Sequence, residues 1–246
     1  DSLPSSGGAI YLYSNSELTM RGTPESCSGL DKCNLFDNNS ATSGGAIYIN
    51  NSLVDISSTY FENNRANKGT ALYSESESSI KIEGSVFNNN GNLAADDFED
   101  RNVFFSTGSS DATVSYSTFA DNKILFSTFK QEQSAHINVY SSIIYESGNS
   151  DVFEYDTDQQ LNTHCLIVHE GDSFNSLNNE TTVVDPMFID SANGDFHIDA
   201  SLSPAVDYCD DTLAMAQFND IDNEGRGFDD LTVINNLGSY DIGADE

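Results

Sequence analysis

Apolar and polar positions alternate in short bursts along the first two-thirds of this chain. "AIYIN" (46–50), "LVDIS" (53–57), "IKIEG" (80–84) and "ATVSY" (112–116) each set apolar side chains two residues apart. That is the period of a strand with one buried face. Asn, Gly and Ser separate the bursts, and no stripe at i, i+3, i+4, i+7 runs long enough to predict a helix. The bursts also carry recurring punctuation. Gly7-Gly8-Ala9-Ile10-Tyr11 is followed by Phe36-Asp37-Asn38-Asn39, and Gly44-Gly45-Ala46-Ile47-Tyr48 by Phe61-Glu62-Asn63-Asn64. Gly69-Thr70-Ala71-Leu72-Tyr73 is followed by Phe87-Asn88-Asn89-Asn90. The Phe slot falls at 36, 61, 87 and 119, and the pattern extends it to Ile144 and Ile167, giving steps of 25, 26, 32, 25 and 23.

A period in the twenties marks stacked supersecondary units, none of which can bury its apolar face alone. Two or three short strands per unit predict an all-β right-handed parallel β-helix (β-solenoid), in which equivalent residues stack about 4.8 Å apart. Leucine-rich repeats share the period, but their Leu frame is absent. Ile47, Ile56 and Phe61 are then expected to point inward. The glycine pair, with Gly8 and Gly45 as its second members, permits a tight turn and close backbone approach. Asn39, Asn64, Asn90 and Asn122, which end F-x-x-N, are placed at the next corner in the left-handed region, with amides that can bond to the Asn of neighbouring units. The extra length at 92–102, and an insert holding Cys27 and Cys33, read as loops bulging from corners.

GGA[IL] followed by F-x-x-N resembles the repeat of the chlamydial polymorphic outer-membrane proteins and related bacterial surface β-helices. The resemblance is close over residues 6–122 and loose over 124–170. It implies an adhesin or surface-displayed passenger, although the autotransporter barrel that anchors true members is missing from this sequence. From about Asn175 the repeat fades. Asp185-Pro186-Met187-Phe188, Asn193-Gly194-Asp195-Phe196, Ser203-Pro204-Ala205-Val206-Asp207, Asp220-Ile221-Asp222 with Arg226, and Asp241-Ile242-Gly243-Ala244 follow in order. That order is similar to the closing segment of secreted bacterial, pectin-lyase-like β-helix proteins, and it implies a single domain over 1–246. Coils would occupy 1–174. Final coils and an irregular cap would occupy 175–246, with Phe188, Phe196, Ile198 and Val206 covering the open end of the stack.

Charge narrows the partners. Forty acidic against nine basic residues give a formal charge of −31, a field that repels nucleic acid and anionic membranes and favours cations. No apolar run approaches the roughly 20 residues of a membrane span. The chain opens at Asp1 and reaches its first repeat within six residues, which fits a mature or trimmed protein. Four cysteines lack the CxxC spacing of zinc or redox sites. Cys27 and Cys33 read as a loop disulfide, leaving Cys165 to Cys209 by arithmetic. Such bonds predict an extracellular or cell-surface location.

Candidate chemistry is sparse. Asp220, Asp222 and Glu224 in D-x-D-x-x-G resemble the start of a calcium loop, but the twelfth position is Leu231 and the EF-hand pattern fails. A structural turn is the competing reading, and Ca2+ is the one cofactor in view. Asp96, Asp97, Glu99 and Asp100 read as a solvated loop, and Asp207, Asp210 and Asp211 as turn and surface. His197 has no partner evident in the sequence, and Tyr13 and Tyr116 are candidates for stacking on sugars. No catalytic residue can be named, since neither a carboxylate pair nor a basic residue recurs on a defined face, although acids stacked at equivalent positions of successive coils could assemble a site. The expected role is therefore structural or adhesive, with self-association into end-to-end fibres or a surface glycan or protein receptor as partner. The alternative is a polysaccharide lyase or glycoside hydrolase on the same fold.

Overall fold

The computed structural model describes residues 6–22, 34–93, 98–146, 148, 151–155, 162–169, 181–210, 219–223, 225–226 and 231–245. Cys27, Cys33, Glu224, Asp96, Asp97 and Asp211 lie outside them.

The alternating bursts are strands, and each pairs in parallel with its equivalent one repeat away. One row runs Ile10–Tyr13, Ile47–Asn50, Leu72–Glu75, Asn102–Ser106, Ser127–Gln131 and Asp151–Tyr155. A second runs Glu17–Met20, Leu53–Ser57, Ser79–Glu83, Asp111–Ser115 and the first half of His136–Tyr145. A third runs Asn34–Asp37, Thr59–Glu62, Val86–Asn88, Thr118–Ala120 and the second half of His136–Tyr145, then Asn162–Val168 and Thr181–Val183. The protein is thus all-β with long parallel sheets. Phe188–Asp190 and Asp195–Ile198 form an antiparallel pair.

Register places like on like. Inward columns run Ile47–Leu72–Phe104–Phe129–Phe153 and Val54–Ile80–Ala112–Ile137. The Phe column Phe36–Phe61–Phe87–Phe119 stacks face to face at centroid spacings of 5.0, 4.5 and 4.3 Å. Each ring is buried, and such pairs add about 0.5–1.5 kcal/mol beyond area burial. Ile144 continues the column as expected, but its next member is Val168, not Ile167. Ile167 pairs with Ile143 and faces the other side of the sheet. The step is therefore 24, and a one-residue slip inverts every side chain.

Asparagine follows each of the first four third-row strands, at Asn39, Asn64, Asn90 and Asn122. Asn64 Oδ1 accepts the backbone N–H and Nδ2–H of Asn39 at 3.1 and 2.9 Å. Asn90 Oδ1 does the same for Asn64, and Asn122 Oδ1 for Asn90. Each of Asn64, Asn90 and Asn122 also donates Nδ2–H to the carbonyl of Phe36, Phe61 or Phe87. The ladder meets the requirement that buried amides be paired. The left-handed residue at this corner is the one before the ladder: Asn38, Asn63, Asn89 and Asp121 carry φ of 61°, 54°, 53° and 54°. The ladder Asn instead aims its side chain along the stack. A second left-handed column, Ser58, Gly84, Tyr116, Ser141 and Cys165, bends the chain between the second and third rows. Glycine is required at two positions beside the first row, although the equivalent position of the next repeat is Thr70. A Cβ on Gly8 or Gly45 would lie about 2 Å from the carbonyl oxygen of Gly45 or Thr70 in the next repeat.

The two features read as loop and turn are more ordered than their composition predicted. Asp100 is 1% exposed, pairs with Arg65 at 2.5 and 3.1 Å, and accepts the Ala66 and Asn92 N–H groups. Glu99 does face solvent, beside Arg101. Asp207 is buried, and its N–H donates to Asp241.

The closing segment lies elsewhere than expected. Its described apolar residues pack on the outer flank of the third row, not over the end of the stack. Phe196, Ile221 and Ala244 meet Tyr60, Val86 and Ala120. Ile198, Val206, Tyr208 and Ile242 meet Ile143, Cys165 and Ile167. Those third-row residues point away from the main core, so the flank is itself apolar and needs cover. Cys165 and Cys209 are disulfide-bonded and tie the segment to the strand. The Ala244 N–H donates to Thr118 Oγ1 and the Gly243 N–H to the Ser141 carbonyl.

Candidate functional site

The flank arrangement assembles the densest cluster of ionisable groups among the described residues. Asp195 and His197 sit on the strand Asp195–Ile198. Ile221, buried beneath Ala244 with its N–H on the Ala244 carbonyl, fixes Asp220 and Asp222 on either side of it. Asp245 follows Ala244 and is 4% exposed. The imidazole lies among the carboxylates. Nδ1 is 2.7 Å from Asp195 Oδ1 and 3.2 Å from Asp245 Oδ2, and Nε2 is 3.3 Å from Asp222 Oδ2. Asp220, Asp222 and Asp245 bring carboxylate oxygens within 4.8 Å of one another, as do Asp195 and Asp245 with a ring nitrogen of His197.

Electrostatics follow from that crowding. Burial pushes the Asp245 carboxyl up to about 7; His197 opposes this, and the charges of Asp222 and Asp220 add to it. His197 is raised above its ordinary value: burial works against its charge, but Asp245, Asp195 and Asp222 outweigh it. Tyr60, above the cluster, is raised by burial and then by Asp245 and Asp222. Arg226 donates to the Ala244 carbonyl and lies 4.8 Å over the Tyr116 ring.

Two of the three residues expected to hold a cation, Asp220 and Asp222, are therefore brought together, and their neighbours are Asp245, Asp195 and His197. Spacing was the available signal for these. Asp195, Asp220 and Asp245 are 25 residues apart, as are His197 and Asp222, the same interval as the Phe column.

A different surface lies on the outside of the first row. Register aligns Tyr11, Tyr48, Tyr73, Phe105, Lys130 and Glu154 in one outward column. The rings stack at 5.0, 5.2 and 5.3 Å. Burial and the Glu75 carboxylate, which bonds Tyr48 and Asn50, raise the Tyr48 hydroxyl; burial pushes Tyr73 up to about 12. Tyr11 and Tyr13 remain 53% and 59% exposed. Lys68 lies over the Phe105 ring, and Lys130 pairs with Glu154 at 2.8 Å. Tyr48, Tyr73 and Phe105 are buried within the column, and Tyr116 is fully buried elsewhere, so none of these rings is open to stack on a sugar.

A cleft of about 450 Å³ near Phe188 holds Asp185 and Asp199. Both carboxylates cap local turns, Asp185 at Met187 and Asp199 at Ser201. Comparison with protein-family models, curated proteins and solved structures found no match. Among the described residues, no helix is long and apolar enough to cross a membrane.

Proposed function

We propose that the chain is a right-handed parallel β-helix, secreted or displayed at a cell surface, with a structural and adhesive role. The observation that carries this reading is the exposed aromatic pair Tyr11 and Tyr13 at the edge of the first row. A flat parallel sheet holds its rings at fixed spacing, and Tyr11 and Tyr13 offer exposed aromatic area at its edge. Exposed aromatics beside Asn50 and its partner Glu75 suit a glycan, whose apolar ring faces stack and whose hydroxyls need both donors and acceptors. The repeat motifs support the same reading by resemblance alone. A glycan-array screen of the full chain against Tyr11→Ala/Tyr13→Ala tests it. Binding by the wild type that the variant loses is the expected result; no binding to any glycan or cell surface refutes the adhesive role.

The same reading includes end-to-end association. Ile10–Tyr13 pairs with Ile47–Asn50 on one side, and its other edge has no partner strand among the described residues. An unpaired strand edge is a template for another strand. Sedimentation velocity across a wide concentration range is expected to show growing oligomers, and a single monomeric species throughout rejects the association.

A further inference from the structure

We propose that Asp220, Asp222 and Asp245, with His197 as nitrogen donor, form a binding site for one divalent metal ion that clamps the closing segment to itself. The donors come from three stretches of chain, around 197, 221 and 245, which otherwise meet through few backbone bonds.

Three observations support the assignment. The first is convergence: three carboxylates present oxygens within 4.8 Å of one another. The second concerns the buried oxygens. Asp222 and Asp245 side chains are 9% and 5% exposed, and Asp222 Oδ1 and Asp245 Oδ1 are buried with no hydrogen-bond partner among the described residues. A buried carboxylate oxygen without a donor is unfavourable, and an ion is a natural partner for it. The third is the charge balance. Asp195, Asp220, Asp222 and Asp245 face one another with Tyr60 and Glu62 nearby, and the cations in reach are His197 and Arg226.

The donor set also selects the ion. His197 Nε2 lies 3.3 Å from Asp222 Oδ2, close to the edge of a coordination polyhedron whose bonds are about 2.0–2.1 Å. Asp195 at Nδ1 plays the orienting part that a carboxylate takes behind a ligating histidine. An imidazole with three carboxylates suits Zn2+ or Mn2+, whereas Ca2+ collects six to eight oxygens. The site is therefore assigned to a transition-type divalent ion in preference to the Ca2+ that the D-x-D-x-x-G segment brings to mind.

The test is calorimetric titration of the chelator-stripped full chain with Zn2+, Mn2+ and Ca2+, in millimolar Mg2+ to saturate diffuse surface acids. One saturable equivalent of Zn2+ or Mn2+ is expected. Asp222→Asn/Asp245→Asn is expected to abolish it, and His197→Gln to weaken it by tenfold or more while leaving Ca2+ binding unchanged. Should the double variant lose its native circular dichroism, Mn2+ electron paramagnetic resonance on the wild type serves instead, since a ligating imidazole shows nitrogen coupling to the ion. Wild-type-like titration of the double variant, absence of a saturable equivalent, or bound Mn2+ without nitrogen coupling overturns the proposal.

Discussion

Replacing Glu146 by Gln is expected to stabilise the protein at alkaline pH and hardly at all at acidic pH. Glu146 closes the asparagine ladder. Its carboxyl accepts the Asn122 N–H at 2.7 Å, the Asn122 Nδ2–H at 3.0 Å and the Thr128 hydroxyl at 3.1 Å. Its own N–H donates to His169 Nδ1. Burial nonetheless pushes the carboxyl from 4.5 up to about 7, outweighing the bonds from Asn122 and Thr128 and the charge of His169. At 1.36 kcal/mol per pH unit, that is about 3 kcal/mol. The folded state holds the proton more tightly than the unfolded state. The associated stability is full below about pH 4.5 and is lost as pH rises through about 7, leaving a buried carboxylate. Glutamine is uncharged at every pH: with its oxygen in the place of Oε2 it accepts the Asn122 N–H and, at the longer 3.3 Å approach, Nδ2–H, while its NH2 takes the place of Oε1 beside Asn122 Nδ2 and the Thr128 hydroxyl, a contact whose cost is the same at both pH values and cancels in the comparison. Urea unfolding of both proteins at pH 5 and pH 8.5 reads the difference. The stability of Glu146→Gln minus wild type should grow by about 3 kcal/mol between the two. A difference that does not change with pH, or that shrinks, refutes the reasoning.

Other outcomes follow from the stack. Asn90→Ala strands the Asn64 N–H and Nδ2–H and the Phe61 carbonyl, and should cost about 4 kcal/mol in denaturant unfolding. Phe87→Ala removes a ring stacked on both sides and fully buried; about 3–5 kcal/mol is expected in the same assay. Cys165→Ser/Cys209→Ser opens a loop of 44-residue separation, for which chain entropy gives about 4 kcal/mol. A thermal midpoint unchanged by that double substitution would contradict the tie between closing segment and flank.

The sequence reveals the stack where chemistry repeats, and conceals it where geometry alone repeats. Phe36, Phe61, Phe87 and Phe119 are legible because an inward column tolerates one kind of side chain at one interval. Gly8 and Gly45 are legible because a neighbouring carbonyl leaves no room for Cβ. Ile167 takes the slot of Val168 in the sequence pattern because the motif decays beyond Phe119, and the two are equally apolar neighbours on opposite faces. The bend at Ser58, Gly84, Tyr116, Ser141 and Cys165 could not be read, since four residue types at five positions share one backbone conformation imposed by the neighbouring repeats. Tyr116 shows the consequence: strand alternation gives no warning that Arg226 and the closing segment cover it. The flank cluster lay between these extremes. Asp220 and Asp222 stood out as a local motif, whereas Asp195, His197 and Asp245 join them only through the 25-residue interval, in a region where the apolar repeat had already faded.

The asparagine ladder has a direction, since every rung accepts from the unit before it, and Glu146, which has no side-chain amide, passes only its backbone N–H onward, to His169 Nδ1. Units ahead of that terminus present identical sockets to their neighbours. Unequal recombination among them would lengthen or shorten the protein by whole repeats while each junction stays matched. A copy spliced in beyond Glu146 would find no carboxamide waiting, so growth of such a gene is channelled toward one side of a fixed full stop.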